Sequence, residues 1–270
     1  MLNIVYHFYI VLGWGFYLVL FFLGTILGSF LNSWIWRTRE NIKIFTTGRS
    51  VCYHCHRQLL WYENIPLFSC IFLKRQCHCC HNFIPLRYPL VEFFAGVLLV
   101  FVGWHHIEVL GKFNFLWWCR DIMFVTFLII IFVYDLLYQE ILPSLIWLGV
   151  TLGFLLNYYI LGYSVNTMVA GAFVAGGFFG LQYLISRGRW IGGGDVRLGV
   201  LMGIWLGFYG TLVAILFAYF SGALMAIILL LTKKANSKTA IPFGTFLALG
   251  TFVAMYYGGQ VVNWYIGLIR

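Results

Sequence analysis

The chain has 270 residues, of which 62% are hydrophobic, 20% aromatic and only 9% charged. Soluble domains are typically about 45–50% apolar and about 25% charged, so this composition excludes a water-soluble globule as well as a disordered or collagen-like chain. The net charge of +9 could suit nucleic-acid binding in a soluble protein. Most of the excess lies beside apolar stretches, however, and we expect no nucleic-acid partner. With a mean hydropathy of +0.90, the sequence predicts an all-α polytopic membrane protein embedded in a lipid bilayer.

Apolar runs of about 20 residues predict the membrane-spanning helices. The first predicted span covers residues 8–31, and a polar insert of residues 37–88 follows it. Seven further spans are predicted at residues 89–107, 115–136, 141–162, 166–186, 196–209, 211–232 and 241–267. The run 196–209 is short for a crossing, so it could be tilted, preceded by a loop that dips into the membrane, or shielded by neighbouring helices. We expect about eight transmembrane helices, with seven or nine as alternatives.

The basic residues predict the orientation of the chain. With eight spans, 14 of the 17 basic residues fall on one side, which the positive-inside rule makes cytoplasmic. Both termini then lie outside. The domain organisation expected is a first transmembrane helix in residues 1–36, a cytoplasmic Cys-rich loop in 37–88 and a helix bundle in 89–270. The 14 residues are Arg37, Arg39, Lys43, Arg49, Arg57, Lys74, Arg75, Arg87, Arg187, Arg189, Arg197, Lys233, Lys234 and Lys238; Lys112, Arg120 and Arg270 fall on the other side.

Glycines recur four residues apart in several predicted spans, as in Gly24 and Gly28 or in Gly199 and Gly203. Small residues at this spacing let helix backbones approach closely in lipid. They predict a tightly packed bundle and carry no information about chemistry.

Two C-x2-C pairs lie in the polar insert, Cys52 with Cys55 and Cys77 with Cys80. Two such pairs can complete a tetrahedral zinc site, and four sulfur ligands leave no position for a reactive water. Disulfides are the alternative, but thiols stay reduced in the cytoplasm. We therefore predict one structural Zn²⁺ on Cys52, Cys55, Cys77 and Cys80. The ligand register stays open, because other side chains in the insert could substitute: Cys70, Cys79, His54, His56, His78 and His81.

The stretch Leu59–Leu73 between the two pairs is apolar but interrupted by Glu63 and Pro66. It is too short and too broken to span a bilayer. We expect it to rest on the membrane interface.

Two aspartates stand out among the eight acidic residues. Asp135 ends the third predicted span, and Asp195 follows Gly192–Gly194 at the start of the sixth. Because the two helices run in opposite directions, both carboxylates fall at the same depth at the cytoplasmic face. Acids within spans are costly and indicate function by default, although each could alone be a solvated interfacial cap. A pair of carboxylates can hold a water and share acid and base roles in peptide hydrolysis.

Local features suggest how this pair is built. Asp195 lies at a helix N-terminus, where the helix dipole favours an anion, so we expect it to be the more readily ionised partner. The preceding glycines permit a positive φ and would let a substrate backbone pass close by.

Two other acids have separate expectations. Asp121 is expected to pair with Arg120. Glu92, a third acid within a span, could pair with Arg87 or another base, or serve a separate activity.

The sequence resembles the type IV prepilin peptidases through nearly its whole length. The segments that carry the resemblance are Gly28-Ser-Phe-Leu-Asn32 with Arg37, the two C-x2-C pairs, Trp61-Tyr-Glu-Asn-Ile-Pro-Leu67, Tyr88-Pro-Leu-Val-Glu92, Asp135 with Leu142-Pro143, and Gly192-Gly-Gly-Asp195-Val-Arg-Leu198. The chain departs from the family pattern at Tyr53, which replaces a proline, and at His56 and His81, which replace the glycines of the zinc knuckles.

The resemblance implies a GxGD-type intramembrane aspartic protease of the bacterial cytoplasmic (inner) membrane, with Asp135 and Asp195 as the catalytic residues. It implies prepilin or pseudopilin substrates, whose short basic leader is cut on the cytoplasmic side just after a glycine. Many members also methylate the new N-terminus with S-adenosylmethionine. The sequence shows no pattern of a methyl-donor pocket, and Gly28, Asn32 and Glu92 are candidates by position alone.

Two other classes of function remain as alternatives. A zinc-ribbon membrane scaffold or assembly factor would use the acids structurally. A cation or proton transporter would place polar sites near the bilayer midplane on broken helices, whereas both aspartates are predicted at one face.

Overall fold

A computed structural model describes residues 9, 11–42, 50–111, 113–233 and 241–269. Within these ranges every regular element is helical, as predicted. The α-helices are α1 (Trp14–Arg39), α2 (Phe68–Phe72), α3 (Arg87–Trp104), α4 (Phe115–Tyr138), α5 (Pro143–Leu156), α6 (Val165–Ser186), α7 (Gly193–Leu231) and α8 (Phe243–Ile269). The π-helical turns His105–Val109 and Asn157–Leu161 extend α3 and α5, and a 3-10 turn covers Trp61–Asn64. Residue 8, the predicted start of the first span, lies outside the described residues, as do six of the basic residues used for orientation: Lys43, Arg49, Lys112, Lys234, Lys238 and Arg270.

Among the described residues, seven of these helices, with their extensions, are long and apolar enough to cross a membrane. The predicted class of polytopic helical membrane protein is therefore confirmed. The 39-residue α7 would measure about 58 Å if straight, roughly twice the thickness of the bilayer hydrocarbon. It is interrupted at Gly207, where φ is 67° and ψ is −175°, a conformation that is essentially confined to glycine.

The two parts of α7 run in opposite directions along α6. The beginning of α7 lies beside the second half of α6, where Val196 faces Gly180. The interruption itself lies beside Gly171, near the beginning of α6. After it the chain returns, and the Tyr219 hydroxyl donates to Oε1 of Gln182 at 2.9 Å. Helix α7 thus supplies both the sixth and the seventh predicted spans, which agrees with the expectation of about eight.

Side chains satisfy backbone carbonyls around the interruption in α7. The Asn157 amide, fully buried in the π-helical turn after α5, donates to the carbonyl oxygens of Ile204 at 2.8 Å and Trp205 at 3.1 Å. The Thr211 hydroxyl donates to the Gly207 carbonyl at 2.6 Å. Such partners are required because lipid offers no hydrogen bonds to exposed backbone groups.

Contacts divide the chain into two compact units, Met1–Ile122 and Met123–Arg270. In the first unit, a side-chain carbon added at Gly24 or Gly28 would come within 2.7 Å of the α3 backbone. In the second unit, Gly199 and Gly203 approach the α6 backbone in the same way. The close helix packing predicted from glycine spacing is confirmed at these four positions.

Candidate active site and metal centre

Asp135 lies in the last turn of α4 and is 5% exposed. Its Oδ2 accepts a hydrogen bond from the Thr245 N–H at 2.8 Å, and the Gly244 backbone also contacts this carboxyl group. Both residues lie in the first turn of α8, whose N–H groups have no partners within the helix. The start of one helix therefore holds the acid at the end of another.

Asp195 is the third residue of α7 and is 8% exposed. Its Oδ2 accepts a hydrogen bond from the Gly192 N–H at 3.0 Å, and it lies close enough to Asp135 for the two charges to interact. None of the three preceding glycines has a positive φ, so the backbone freedom that they permit is not used here. Gly194 is needed for space instead, because a side-chain carbon there would lie 3.0 Å from Cβ of Ile141.

Ile141 packs against the helix starts that lie beside the two acids in the second unit. Its side chain is buried and packs against Gly194 in α7 and against Gly244 in α8. The structure thus brings Asp135 and Asp195, the two acids singled out in the sequence, into one site.

Sequence reasoning missed the contribution of α8 to this site. The sequence contains a pattern that could have indicated this contribution. A proline, a glycine and a threonine stand at the start of an otherwise apolar span, in the segment Pro242–Thr245. Because α8 directs N–H groups at Asp135, both acids now receive backbone donors at a helix N-terminus. The prediction that Asp195 is the more readily ionised partner rested on its helix N-terminus, and Asp135 has a comparable environment.

The four predicted zinc ligands converge in the first unit. The sulfur atoms of Cys52, Cys55, Cys77 and Cys80 all lie within 4.8 Å of one another. A tetrahedral zinc with bonds of about 2.3 Å places its sulfur ligands about 3.8 Å apart, so this cluster could bind zinc. Cys79 is exposed and does not belong to the group.

The two C-x2-C pairs lie in knuckles with the same backbone hydrogen bonds. In the first, His56 N donates to Cys52 O at 3.0 Å, and in the second, His81 N donates to Cys77 O at 2.9 Å. His56 and His81 have φ values of 54° and 53°, in the left-handed region that favours glycine. These are the positions at which the chain departs from the knuckle glycines of the family that it resembles.

Replacing His81 by glycine is expected to stabilise the second knuckle by about 0.5–1 kcal/mol, because glycine adopts a positive φ without steric cost. His78→Gly is the matched control, since His78 does not have a positive φ, and it is expected to give no gain. The measurement is the temperature of zinc release from the purified protein, followed with a chromogenic chelator. Equal effects of the two substitutions would contradict the conformational explanation.

The thiols differ strongly in acidity when no cation is present. Burial opposes ionisation of Cys77, but the backbone N–H groups of Cys80 and Cys79 outweigh it and lower its pKa to about 6. The Arg57 backbone favours the Cys55 thiolate, but burial and the neighbouring thiols outweigh it and raise the Cys55 pKa to about 12. Four thiolates so close together need a cation, which is the charge that Zn²⁺ would supply.

The remaining buried acids are held by other partners. Asp121 pairs with Arg120 as predicted, and it also accepts from Nε2 of His106 at 2.8 Å. Glu92 accepts from the Leu67 N–H at 2.9 Å and from the Ser29 hydroxyl. The predicted alternative of an ion pair between Glu92 and Arg87 is absent from the described residues.

Glu63 is also buried and serves the insert itself. It accepts a hydrogen bond from the Arg57 guanidinium at 2.5 Å and another from the Leu60 N–H at 2.7 Å. This ion pair links the first zinc knuckle to the 3-10 turn.

Two neighbouring buried carboxylates at the ends of membrane-long helices form the arrangement expected of an intramembrane aspartic protease. Comparison with known sequences supports this class. The profile of the bacterial peptidase A24 N-terminal domain matches residues 22–106, and that of the type IV leader peptidase family matches residues 122–227.

Curated relatives match over almost their full length. The prepilin leader peptidase/N-methyltransferase of Legionella pneumophila is 30% identical over 94% of this chain and 96% of its own length. The enzyme of the same name from Stutzerimonas stutzeri is 30% identical over 92% and 93%, and that from Pseudomonas aeruginosa is 29% identical over 93% and 94%. The chain belongs to the type IV leader peptidase family, and it is a multi-pass protein of the bacterial inner membrane. No solved structure gives a significant match.

Proposed function

We propose that this chain is an aspartic endopeptidase that removes the short basic leader from type IV prepilins or pseudopilins. The observation that carries the proposal is the convergence of Asp135 and Asp195, both buried, in one site of the second unit. The relatives named above are prepilin leader peptidases, which supplies the substrate class.

The catalytic step follows from the pair of carboxylates. The ionised member takes a proton from a water held between the two acids, while the oxygen of that water attacks the carbonyl carbon of the peptide bond. The protonated member donates to the carbonyl oxygen, and breakdown of the tetrahedral intermediate transfers a proton to the leaving amine. The Thr245 and Gly192 N–H groups fix one oxygen of each carboxylate and thereby position the pair.

Both acids lie at the ends of spans rather than at their centres, in the last turn of α4 and the first turn of α7. A site at one face suits a substrate cut beside the membrane and does not suit a transporter, whose sites lie near the midplane. We assign this face to the cytoplasm, as the distribution of basic residues predicts. The scaffold alternative is not favoured, because the family and its curated relatives are peptidases.

We further propose that the mature N-terminus is methylated with S-adenosylmethionine, because the curated relatives are named N-methyltransferases as well. The first unit contains a cavity of roughly 130 Å³ lined in part by Ser29, Asn64 and Glu92. Pockets for whole small molecules measure about 300–1,000 Å³, so this cavity does not fit the complete methyl donor. Of the positional candidates, Gly28 packs against α3, and the Asn32 amide donates to the Tyr88 carbonyl; both have structural roles.

The proposal is tested by co-expressing the chain with a prepilin that has a Gly–Phe junction. Loss of the leader, seen as a mobility shift and located by mass spectrometry, is the expected result. A prepilin whose junction glycine is replaced by valine serves as the control and should remain uncut. Failure to process the authentic substrate would contradict the proposal. The mass of the mature N-terminus then shows whether a methyl group has been added.

Gly244→Ala is expected to slow leader removal about 100-fold, because an added carbon would lie 2.9 Å from Oδ2 of Asp135 and displacements of about 1 Å have effects of this size. Gly177→Ala is the matched control, since an added carbon at Gly177 in α6 meets no atom within 4 Å. The measurement is kcat/KM on purified prepilin for both variants. Similar rates for the two would show that space at Gly244 does not matter to the site.

A further inference from the structure

Residues 65–72 leave the zinc knuckles and pack against the transmembrane helices of the first unit. The Leu67 N–H donates to Oε2 of Glu92 in α3 at 2.9 Å. The Phe68 ring stacks on the Phe22 ring of α1, with 6.3 Å between centroids and 20° between planes. Two successive residues of the insert are thus anchored on spans rather than on the zinc knuckles.

These anchors lie one helical turn or more inside the polar ends of the spans. Phe22 precedes Arg39, the last residue of α1, by 17 residues, or about 25 Å along the helix axis. Glu92 follows Arg87, the first residue of α3, by five residues, or about 7 Å. Glu92 packs beside Gly28 of α1, and Phe22 lies six residues, or about 9 Å along the helix axis, farther from Arg39. The segment therefore descends alongside α1 from the level of Glu92 toward that of Phe22.

Helix α2, within this segment, has two chemically different faces. Ser69 and Cys70 line the cavity of the first unit, as does Leu73 just after the helix. Ile71 and Phe72 on the other face are 71% and 80% exposed. No residue from 65 to 72 is charged, and the cations Lys74 and Arg75 follow at once, as expected where a chain re-enters the headgroup region.

Several backbone N–H groups of the segment donate to acceptors within the protein. The N–H groups of Phe68, Ser69 and Ile71 donate to carbonyls within the segment itself. Leu67, at a φ of 61°, donates instead to the buried Glu92 carboxylate. In hydrocarbon each backbone donor must find a protein acceptor, and Glu92 provides one at the point where the helix begins.

We propose that residues 65–72 form a re-entrant segment inserted into the bilayer that the spans cross, with Ile71 and Phe72 in contact with phospholipid acyl chains. Lipid is the partner that the surface fits, because the exposed face is uncharged, continues the exposed side of α1 at Phe22 and is bounded by cations. Glu92 is a positioning residue that anchors the turn into α2. The insert is thus held both by its zinc knuckles and by the membrane.

The test places the photoreactive residue p-benzoylphenylalanine at Phe72 of the full chain, in nanodiscs of phosphatidylethanolamine and phosphatidylglycerol. His54, exposed on the first zinc knuckle, is the matched control site. After illumination, intact-mass spectrometry should show phospholipid adducts at Phe72 and none at His54. Adducts to a second protein chain, absence of lipid adducts at Phe72, or equal adducts at both sites would overturn the proposal.

Hydrogen exchange of the unlabelled protein in nanodiscs gives a second measurement. The Leu67 amide should be protected in the wild type and in Glu92→Gln, whose side chain still offers an oxygen acceptor. Glu92→Ala should speed its exchange by about tenfold or more, with the zinc content unchanged. Rapid exchange of this amide in the wild type would show that the segment lies in water.

Discussion

Replacement of Asp135 or Asp195 by asparagine is expected to lower the rate of leader removal by about 10²–10⁴-fold, because each change removes a group that must exchange a proton with the substrate or with water. The fold should survive, since the asparagine oxygen can still accept from the Thr245 or Gly192 N–H groups that hold the native carboxylates. The measurement is kcat on purified prepilin, with membrane insertion and thermal unfolding followed in parallel.

Glu40→Gln is the control for this experiment. Glu40 is an exposed acid just after α1, and its neutralisation should leave the rate within about twofold of the wild type. If cleavage persisted in either aspartate variant, the pair could not be the catalytic centre. The double variant should be about as inactive as either single one, because the two acids act as a unit.

The second prediction with a large effect concerns zinc binding by the polar insert. The Cys52→Ser/Cys55→Ser variant should lose the metal completely, whereas the wild type should contain about one zinc per chain. Structural zinc contributes about 10–16 kcal/mol in small zinc domains, so the insert without zinc should be cut rapidly by proteases. Metal analysis of the purified protein and limited proteolysis provide the two measurements.

The Cys79→Ser variant tests, in the same experiment, whether Cys79 is one of the zinc ligands. Cys79 is exposed and its sulfur lies outside the cluster of four, so this variant should keep its zinc and its protease resistance. Zinc loss on changing Cys79 would mean that the second knuckle binds through a different sulfur from the one proposed.

Many features of this protein could be predicted because each is encoded in a short, continuous stretch of sequence. Apolar runs located most spans to within a few residues, as for α6, predicted at 166–186 and found at Val165–Ser186. The first span is the exception, because it is predicted to end at residue 31 and α1 continues to Arg39. The C-x2-C spacing identified the four thiols that converge. Scarcity of acids in the apolar spans directed attention to Asp135 and Asp195, which share one site.

The features that escaped prediction depend on contacts between distant segments. The Thr245 N–H reaches Asp135 across 110 residues of sequence, and no local pattern encodes that pairing. The glycines before Asp195 permit unusual backbone angles, but they stand at the start of a regular helix, where Gly194 makes room for Ile141. The two apolar runs predict a break within α7 near residue 210, whereas it occurs at Gly207.

The reversal at Gly207 has a consequence for how the protein is made. Because the sixth and seventh spans are joined by one residue rather than by a loop, no hydrophilic connection has to be translocated between them. The pair should leave the translocon as a preformed helical hairpin. An epitope tag or reporter domain inserted beside Gly207 should therefore block biogenesis, although similar insertions are tolerated at loop tips elsewhere in proteins.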